Sequence, residues 1–145
     1  MNLLFSSGFF VSFGLGFLYF LGAIPAGAAA GIGVWWAAVA AWAGYSAGAA
    51  VVLVAGKPVR NWLVAKLRIP VNRDPSKWIW KAWDRWGIVG LGLLAPVTIG
   101  PQAGACLALA VGSGPKAIFL SLSLGAVPWC ILFSVLVKAG IRFAQ

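Results

Sequence analysis

The chain consists of long apolar stretches separated by short segments that are rich in glycine and proline. Two of the apolar stretches are interrupted near their middles, at residues 22–27 and 96–104, and an unbroken apolar segment follows each interruption. Proline removes a backbone donor and glycine weakens a helix, so such breaks leave polar groups unpaired in lipid unless they face protein or water. Paired breaks in two halves of a chain predict a binding site near the bilayer midplane.

The first half, residues 1–56, predicts a helical hairpin followed by a spanning helix. Residues 3–24 are nearly all apolar, and the break around Pro25 favours a re-entrant hairpin over residues 3–33; a plain first transmembrane helix is the alternative. Residues 36–56 carry no charge and are long enough to cross a bilayer. The sequence Gly56-Lys57-Pro58 then predicts the end of this helix.

The second half, residues 87–145, predicts the same arrangement. The arms 87–95 and 103–111 are each too short to span about 30 Å at 1.5 Å per residue, so together they predict a second re-entrant hairpin. Residues 117–137 form the second spanning segment, with a kink or a local loosening of the helix expected near Pro128.

Between the halves lies a basic, tryptophan-rich segment, residues 57–86. The Asp74-Pro75-Ser76 sequence predicts a cap for a helix over 77–86, whose tryptophans and cations occupy different faces. An amphipathic helix of this kind lies in the membrane interface; a soluble turn packed under the bundle also fits the charges. The predicted surface residues are Lys57, Arg60, Lys77, Trp78, Lys81, Trp83, Arg85 and Trp86.

The two halves predict an inverted repeat, since a single crossing separates the two hairpins. Residues 25–28 align with residues 101–104, and Gly44 aligns with Gly125, although the register slips between the two matches. The expected fold is therefore one all-α integral membrane domain, 1–145. It contains two re-entrant helical hairpins, two full transmembrane helices and an interfacial amphipathic helix.

Composition supports a membrane protein and excludes several other classes. Of the 145 residues 62% are hydrophobic and only 9% are charged, against about 25% charged residues in soluble domains. The start of the chain has no basic residue or cleavage signal, which argues against a removable signal peptide. The chain has no His and two Cys, both within apolar segments, so we expect no metal, no cofactor and no disulfide framework.

The net charge of +9 indicates how the chain is oriented in the membrane rather than an ability to bind nucleic acid. Eight of the eleven Lys and Arg residues lie within 57–85, a segment without a recognisable nucleic-acid-binding module. Juxtamembrane cations stay on the cytoplasmic side and attract anionic lipid headgroups. With Lys116 the cytoplasmic side carries nine cations, and Lys138 and Arg142 lie on the other side.

Several short sequences rich in small residues recur along the chain. They are Gly22-Ala23-Ile24-Pro25, Gly56-Lys57-Pro58-Val59, Gly87-Ile88-Val89-Gly90-Leu91, Pro101-Gln102-Ala103-Gly104-Ala105 and Lys116-Ala117. These motifs resemble the small multi-drug export family, which is itself similar to the broader DedA superfamily of membrane proteins. The resemblance covers most of the chain after residue 14 and implies a membrane transporter with two re-entrant loops. Relatives tend to carry an acidic residue and an arginine where this chain has Tyr19 and Leu21, so a proton-coupled mechanism based on that pair is not implied.

The chemistry available at the breaks is that of neutral dipoles. The only two acids, Asp74 and Asp84, lie in the surface segment, so no carboxylate proton relay is expected. Half-helix N-termini near Ala26 and Gln102 carry partial positive charge that suits an anion. Gln102 is the first candidate because its amide both donates and accepts; ordinary packing is the alternative for each polar residue. The candidate pathway residues are Tyr19, Gly22, Pro25, Gly27, Thr98, Gly100, Pro101, Gln102 and Gly104.

The sequence therefore predicts a small membrane transporter for a small solute or an anionic lipid-like molecule, and no enzyme, because no nucleophile and base come together. An anion channel with a cationic mouth is one alternative. A structural or accessory subunit that docks through its small-residue faces is another. Two crossings shield the broken segments poorly, so we expect a homodimer. A bacterial inner membrane or a thylakoid-type membrane is the expected location.

Overall fold

The computed structural model describes residues 3–67 and 86–143. Within these two ranges the chain forms α-helices and no strand, which confirms the all-α class. The described helices are α1 Leu3–Leu18, α2 Phe20–Ala29, α3 Val34–Leu67, α4 Ile88–Leu94, α5 Gly100–Ala110 and α6 Pro115–Phe143.

Two of the described helices are long and apolar enough to cross a membrane. The segments are Val34–Gly56 of α3 and Pro115–Gly140 of α6, with mean hydropathies of 1.7 and 2.1. The predicted helix end at Gly56 is confirmed as a kink, because Gly56 has φ 46° and ψ −118° within α3. Helix α6 runs through Pro128.

Helices α1 and α2 form an antiparallel pair that reverses at Tyr19. This residue is extended, with φ −150° and ψ 94°. A Cβ added at Gly8 would lie 2.7 Å from Ile32 Cγ2, and Gly27 meets the Ser12 side chain more closely still. The far ends of the two helices are thus in contact, as in a helical hairpin.

The break predicted at residues 22–27 is wrong in position, since α2 is helical through Pro25. A proline inside a helix removes one backbone hydrogen bond, and the packing of a buried face can outweigh that loss. Helix α2 has such a face, formed by Phe20, Ala23, Ile24 and Gly27.

In the second half, α4 and α5 are separated by a turn over residues 95–99. This turn coincides with the beginning of the predicted break at 96–104. The remaining residues of that break, from Gly100 onward, form the first turn of α5. Pro101 is tolerated there because the first amides of a helix have no partner within it.

The loops that lead into α3 and α6 have the same geometry. In each loop a glycine, Gly31 or Gly112, has φ 88°, a conformation that suits residues without a Cβ. The amides of the following residues, Ile32 and Ser113, donate to the carbonyls of Gly27 and Ala108 at 3.3 and 3.0 Å. Both α2 and α5 therefore end in a Schellman motif.

Glycines bring the first helix of each half onto its long helix. Gly44 of α3 packs against the backbone of α1, where an added Cβ would lie 2.9 Å from the Phe13 carbonyl carbon. Gly125 of α6 packs in the same way on α4, where an added Cβ would lie 2.9 Å from the Leu93 nitrogen. Small residues permit this close approach of helix backbones.

The two long helices cross each other in antiparallel orientation. At the crossing, the indole nitrogen of Trp42 donates to the carbonyl of Ser123 at 2.9 Å. Toward one end of the pair, Val54 and Lys116 line the same surface groove. Toward the other end, Trp35 and Ile131 line a second groove.

The predicted interfacial helix over 77–86 lies almost wholly outside the described residues, as do Lys77, Trp78, Lys81, Trp83 and Arg85. Lys57 and Arg60 belong to the part of α3 that follows the kink. Trp86, which stands just before α4, is 68% exposed.

Candidate functional site: the junction of the two helix breaks

Gln102 connects the two interrupted halves of the chain. It lies in the first turn of α5, and its side-chain nitrogen donates a hydrogen bond to the carbonyl of Phe17. Phe17 is in the last turn of α1, where carbonyls lack an amide partner within the helix. The reversal at Tyr19 thus frees the acceptor that Gln102 satisfies.

Gly48 of α3 makes room for this contact. A Cβ added there would lie 2.9 Å from Gln102 Nε2, 3.0 Å from Pro101 Cγ and 3.1 Å from the Phe17 carbonyl oxygen. Pro101 is fully buried and Gln102 is half-buried. We refer to Phe17, Gly48, Pro101 and Gln102 together as the junction.

The last turn of α4 has a comparable arrangement. The indole nitrogen of Trp129 on α6 donates to the carbonyl of Leu93 at 2.6 Å. The hydroxyl of Ser121, also on α6, donates to the carbonyl of Ile88 at the start of α4. Side chains from other helices therefore satisfy carbonyls in the last turns of both α1 and α4.

The other predicted pathway residues lie at various distances from the junction. Tyr19 is at the reversal next to Phe17 and is 62% exposed. Gly100 precedes Pro101 and has φ 77°. Thr98 is exposed and donates its hydroxyl hydrogen bond to the Leu94 carbonyl of its own turn, at 2.8 Å.

The other four predicted residues lie away from the junction. Gly27 is buried against Ser12 and Ala37, and Gly104 is buried against Ala95 and Leu122. Pro25 is exposed on α2, and Gly22 is half-buried with only the Tyr19 ring near it.

Gly48, Phe17 and Trp129 are among the residues of these contacts that the sequence-based candidates lack. Gly48 belongs to a series in which every fourth residue of α3 is small. Such a series indicates close helix packing but does not indicate which helix packs there. Phe17 takes part through its carbonyl, for which a sequence carries no signal. Trp129 follows Pro128 in an apolar run, and nothing in that run indicates a bond to α4.

The interior contains hydroxyl groups that lack a hydrogen-bond partner among the described residues. Buried polar side chains are usually hydrogen-bonded. Tyr45 is fully buried, and its ring packs against Phe20 with 5.3 Å between ring centroids. The interior is thus more polar than its hydropathy suggests. The atoms concerned are Ser12 Oγ, Tyr45 Oη, Ser46 Oγ, Ser123 Oγ and Ser134 Oγ.

The junction is built from neutral dipoles alone. Both acids of the chain lie within 68–85, and the described ranges contain no group of metal-ligating side chains. A carbonyl, an amide side chain and a helix N-terminus can bind a small polar or anionic group by hydrogen bonds. No group at the junction titrates near neutral pH.

Comparisons of the chain with protein-family models, with curated proteins and with solved structures gave no match.

Proposed function

We propose that this protein is a multi-pass integral membrane carrier that moves a small solute or an anionic lipid-like molecule through the junction. In this proposal α3 and α6 cross the bilayer, and the pairs α1–α2 and α4–α5 are re-entrant hairpins whose tips meet near the midplane. The carrier acts as a homodimer, because two crossings per chain shield little of the hairpins from lipid.

Helix lengths support the re-entrant arrangement. At 1.5 Å per residue α1 is about 24 Å long, α2 about 15 Å, α4 about 10 Å and α5 about 16 Å. Each is shorter than a hydrocarbon core of about 30 Å. The contacts of Gly27 with Ser12 bring α2 back alongside α1, so the first pair returns toward the level at which it began.

Corresponding contacts in the two halves support an internal repeat. The loop glycines Gly31 and Gly112 have the same φ, and the packing glycines Gly44 and Gly125 follow them at the same spacing. The residues before the breaks correspond at a different spacing, because the second half has the additional residues of the turn 95–99. The extra residues of this turn account for the slip in register between the two halves. The alignment that they favour matches Gly100 with Tyr19, instead of residues 101–104 with residues 25–28.

The crossing of the long helices supports inverted topology. Trp42 and Ser123 are joined by a hydrogen bond, and they are separated in sequence by the same interval as Gly44 and Gly125. A pseudo-twofold axis near the crossing would bring equivalent positions of the two antiparallel helices into contact in this way. An axis in the membrane plane relates the halves of many secondary transporters, and their substrates bind where the repeats meet.

The hydrogen bond from Gln102 to the Phe17 carbonyl is the observation that carries the proposal. It joins the tip of the first hairpin to the tip of the second, beside Gly48 of a spanning helix. Irregular backbone at membrane depth is tolerated where protein or a water-lined cavity covers it. We expect the Gln102 amide to exchange the Phe17 carbonyl for the substrate when the junction opens.

The resemblance to the small multi-drug export family agrees with this proposal, although the family's name assigns no substrate here. Tyr19 and Leu21 occupy the positions of the charged pair in relatives, so the proposed transport is independent of a proton relay at those positions. The small-residue face at Gly44 is covered by α1 within the chain. That contact disfavours the accessory-subunit alternative, in which this face docks on another protein.

Site-directed labelling tests the re-entrant topology. Single cysteines at Ser7, Gly33, Asn61 and Ser113, in a chain with Cys106 and Cys130 replaced by Ala, are exposed to a membrane-impermeant maleimide from either side. We expect Ser7 and Gly33 to label from one side, and Asn61 and Ser113 from the other, because each hairpin leaves the bilayer on the face that it entered. Labelling of Ser113 from the side of Gly33 would mean that α4–α5 crosses the membrane.

Flux into reconstituted vesicles tests transport itself. The probes are radiolabelled phosphate, rubidium ion, ethidium and a fluorescent phosphatidylglycerol whose transbilayer movement is followed by dithionite quenching. We expect protein-dependent flux of phosphate or of the labelled lipid, because the junction presents donors rather than carboxylates. Flux no greater than that of empty vesicles for all four probes would refute the proposal.

A further inference from the structure

Two apolar grooves flank the crossing of α3 and α6, one toward each end of the pair. The first, which we call the Lys116 groove, has a volume of about 560 Å³ and is lined by Lys116 together with Ala50, Val54, Phe119 and Leu120. The second, the Trp35 groove, has a volume of about 370 Å³. Its lining includes Trp35, Val39, Trp42, Val127 and Ile131. No residue of the junction lines either groove.

The grooves occupy corresponding places in the two halves. Val39 and Trp35 line the second groove, and Leu120 and Lys116 line the first. Val39 is as far from Leu120 in sequence, and Trp35 as far from Lys116, as Gly44 is from Gly125. Both grooves are open on the outer surface of the helix pair, since Val54 of the first is 88% exposed and Ile131 of the second is 53% exposed. An apolar surface of this kind faces lipid tails in a membrane-spanning helix pair.

Among the side chains that the structure describes, each groove has a cation at its rim. Lys116 lines the first groove directly, and the Nζ atom of Lys138 lies 5.1 Å from the centre of the Trp35 ring in the second. The described part of the chain contains no Asp or Glu, so neither charge is neutralised by a carboxylate there. The two lysines are about 33 Å apart along α6 at 1.5 Å per residue. This separation matches the thickness of the hydrocarbon core.

We propose that both grooves are lipid sites, each of which holds one acyl chain of an anionic phospholipid with its phosphate on the rim lysine, one site in each leaflet. The apolar lining takes the chain, and Lys116 or Lys138 attracts the headgroup at its own membrane surface. A long lysine side chain reaches the interface from the end of a spanning helix, as this arrangement requires.

Native mass spectrometry of the delipidated protein in mild detergent tests the two sites. The protein is titrated with phosphatidylglycerol or with phosphatidylcholine of the same acyl chains. We expect two phosphatidylglycerol molecules per chain at concentrations where phosphatidylcholine is not retained. The variants Lys116→Gln and Lys138→Gln should each retain one, and the double variant should retain none above the phosphatidylcholine level.

A second pair of variants tests whether the Lys116 groove holds the acyl chain. Val54→Trp fills the groove and should lower its phosphatidylglycerol occupancy at least tenfold. Val51→Trp, on the same helix at an exposed position outside the groove, is the matched control and should retain both lipids. Both substitutions are at exposed positions, so neither disturbs the packed interior.

Equal retention of the two lipids, or two bound phosphatidylglycerol molecules in the double lysine variant, would overturn the proposal. A dimer that is lost in Val54→Trp while lipid retention stays unchanged would also overturn it, because a second copy of the chain would then occupy the groove. These outcomes are independent of transport, since a carrier that works through the junction needs neither groove.

Discussion

Gly92→Ala is expected to destabilise the protein by about 3 kcal/mol, at the upper end of the range for overpacked interiors. A Cβ at Gly92 would lie 2.7 Å from the carbonyl carbon of Ser121 and nearer still to its carbonyl oxygen. The Ser121 hydroxyl oxygen is also in the way, but the two carbonyl atoms belong to the backbone of α6, so no side-chain rotation relieves the clash. Helix α4 would have to move away, which also strains the hydrogen bonds from Ser121 and Trp129 to α4.

The matched control is Gly90→Ala, on the same short helix and with the same change in composition. A Cβ at Gly90 has no atom within 4 Å, and alanine is favoured over glycine in a helix by about 1 kcal/mol. We therefore expect Gly90→Ala to be neutral or slightly stabilising. The temperature at which half of the monodisperse peak is lost in size-exclusion chromatography gives the comparison.

The first half offers the same comparison. An added Cβ at Gly16 would lie 2.7 Å from the Cα atom of Ala41, and an added Cβ at Gly14 has no neighbour within 4 Å. Gly16→Ala should therefore lower stability and Gly14→Ala should not. Equal melting behaviour within both pairs of variants would show that the close packing of α1 on α3 and of α4 on α6 is incorrect.

Gln102→Leu is expected to lower flux by roughly tenfold or more, the ratio that corresponds to an unsatisfied buried acceptor of about 1–3 kcal/mol. Leucine has a similar size but cannot donate to the Phe17 carbonyl or to a substrate. The control is Ala103→Leu, which adds the same side chain at the exposed neighbouring position of α5. Unchanged flux in a Gln102→Leu protein that remains monodisperse would exclude the junction as the transport path.

A double substitution separates a direct contact from general disturbance. A Cβ at Gly48 conflicts with Gln102 Nε2 and with Pro101 Cγ, so Gly48→Ala should also reduce flux. Gln102→Ala removes the conflict with Nε2. In that background Gly48→Ala should therefore cost less flux than it does in the unmodified protein, by a coupling energy of about 1 kcal/mol. Strictly additive losses of flux would mean that positions 48 and 102 act independently.

The sequence predicts those features that depend on hydropathy and on local stop signals. The uncharged run before Gly56 and the Gly-Lys-Pro sequence there predict where the first spanning segment ends, and the kink lies at that glycine. The turn 95–99 was similarly indicated by Pro96. Both signals act within a few residues of the feature that they determine.

Features that depend on contacts between distant segments were not predictable in the same way. No local signal marks a reversal at Tyr19, which has aromatic and aliphatic neighbours, whereas Pro25 is a strong signal within what is a continuous helix. Gln102 was identified by its chemistry, but its partner is a backbone carbonyl freed by that unexpected reversal. Tertiary packing decides such cases over local propensity.

The unequal lengths of the two reversals have a mechanical consequence. A single extended residue joins α1 to α2, so the first tip is a short, stiff corner held on both sides by helix. Residues 95–99 instead join α4 to α5 through a five-residue turn, in which the amides of Val97 and Thr98 donate to the Leu94 carbonyl at 3.1 Å. In the proposed carrier the longer connection contains more backbone dihedral angles that can change, so we expect opening and closing to proceed mainly by movement of α4 relative to α5.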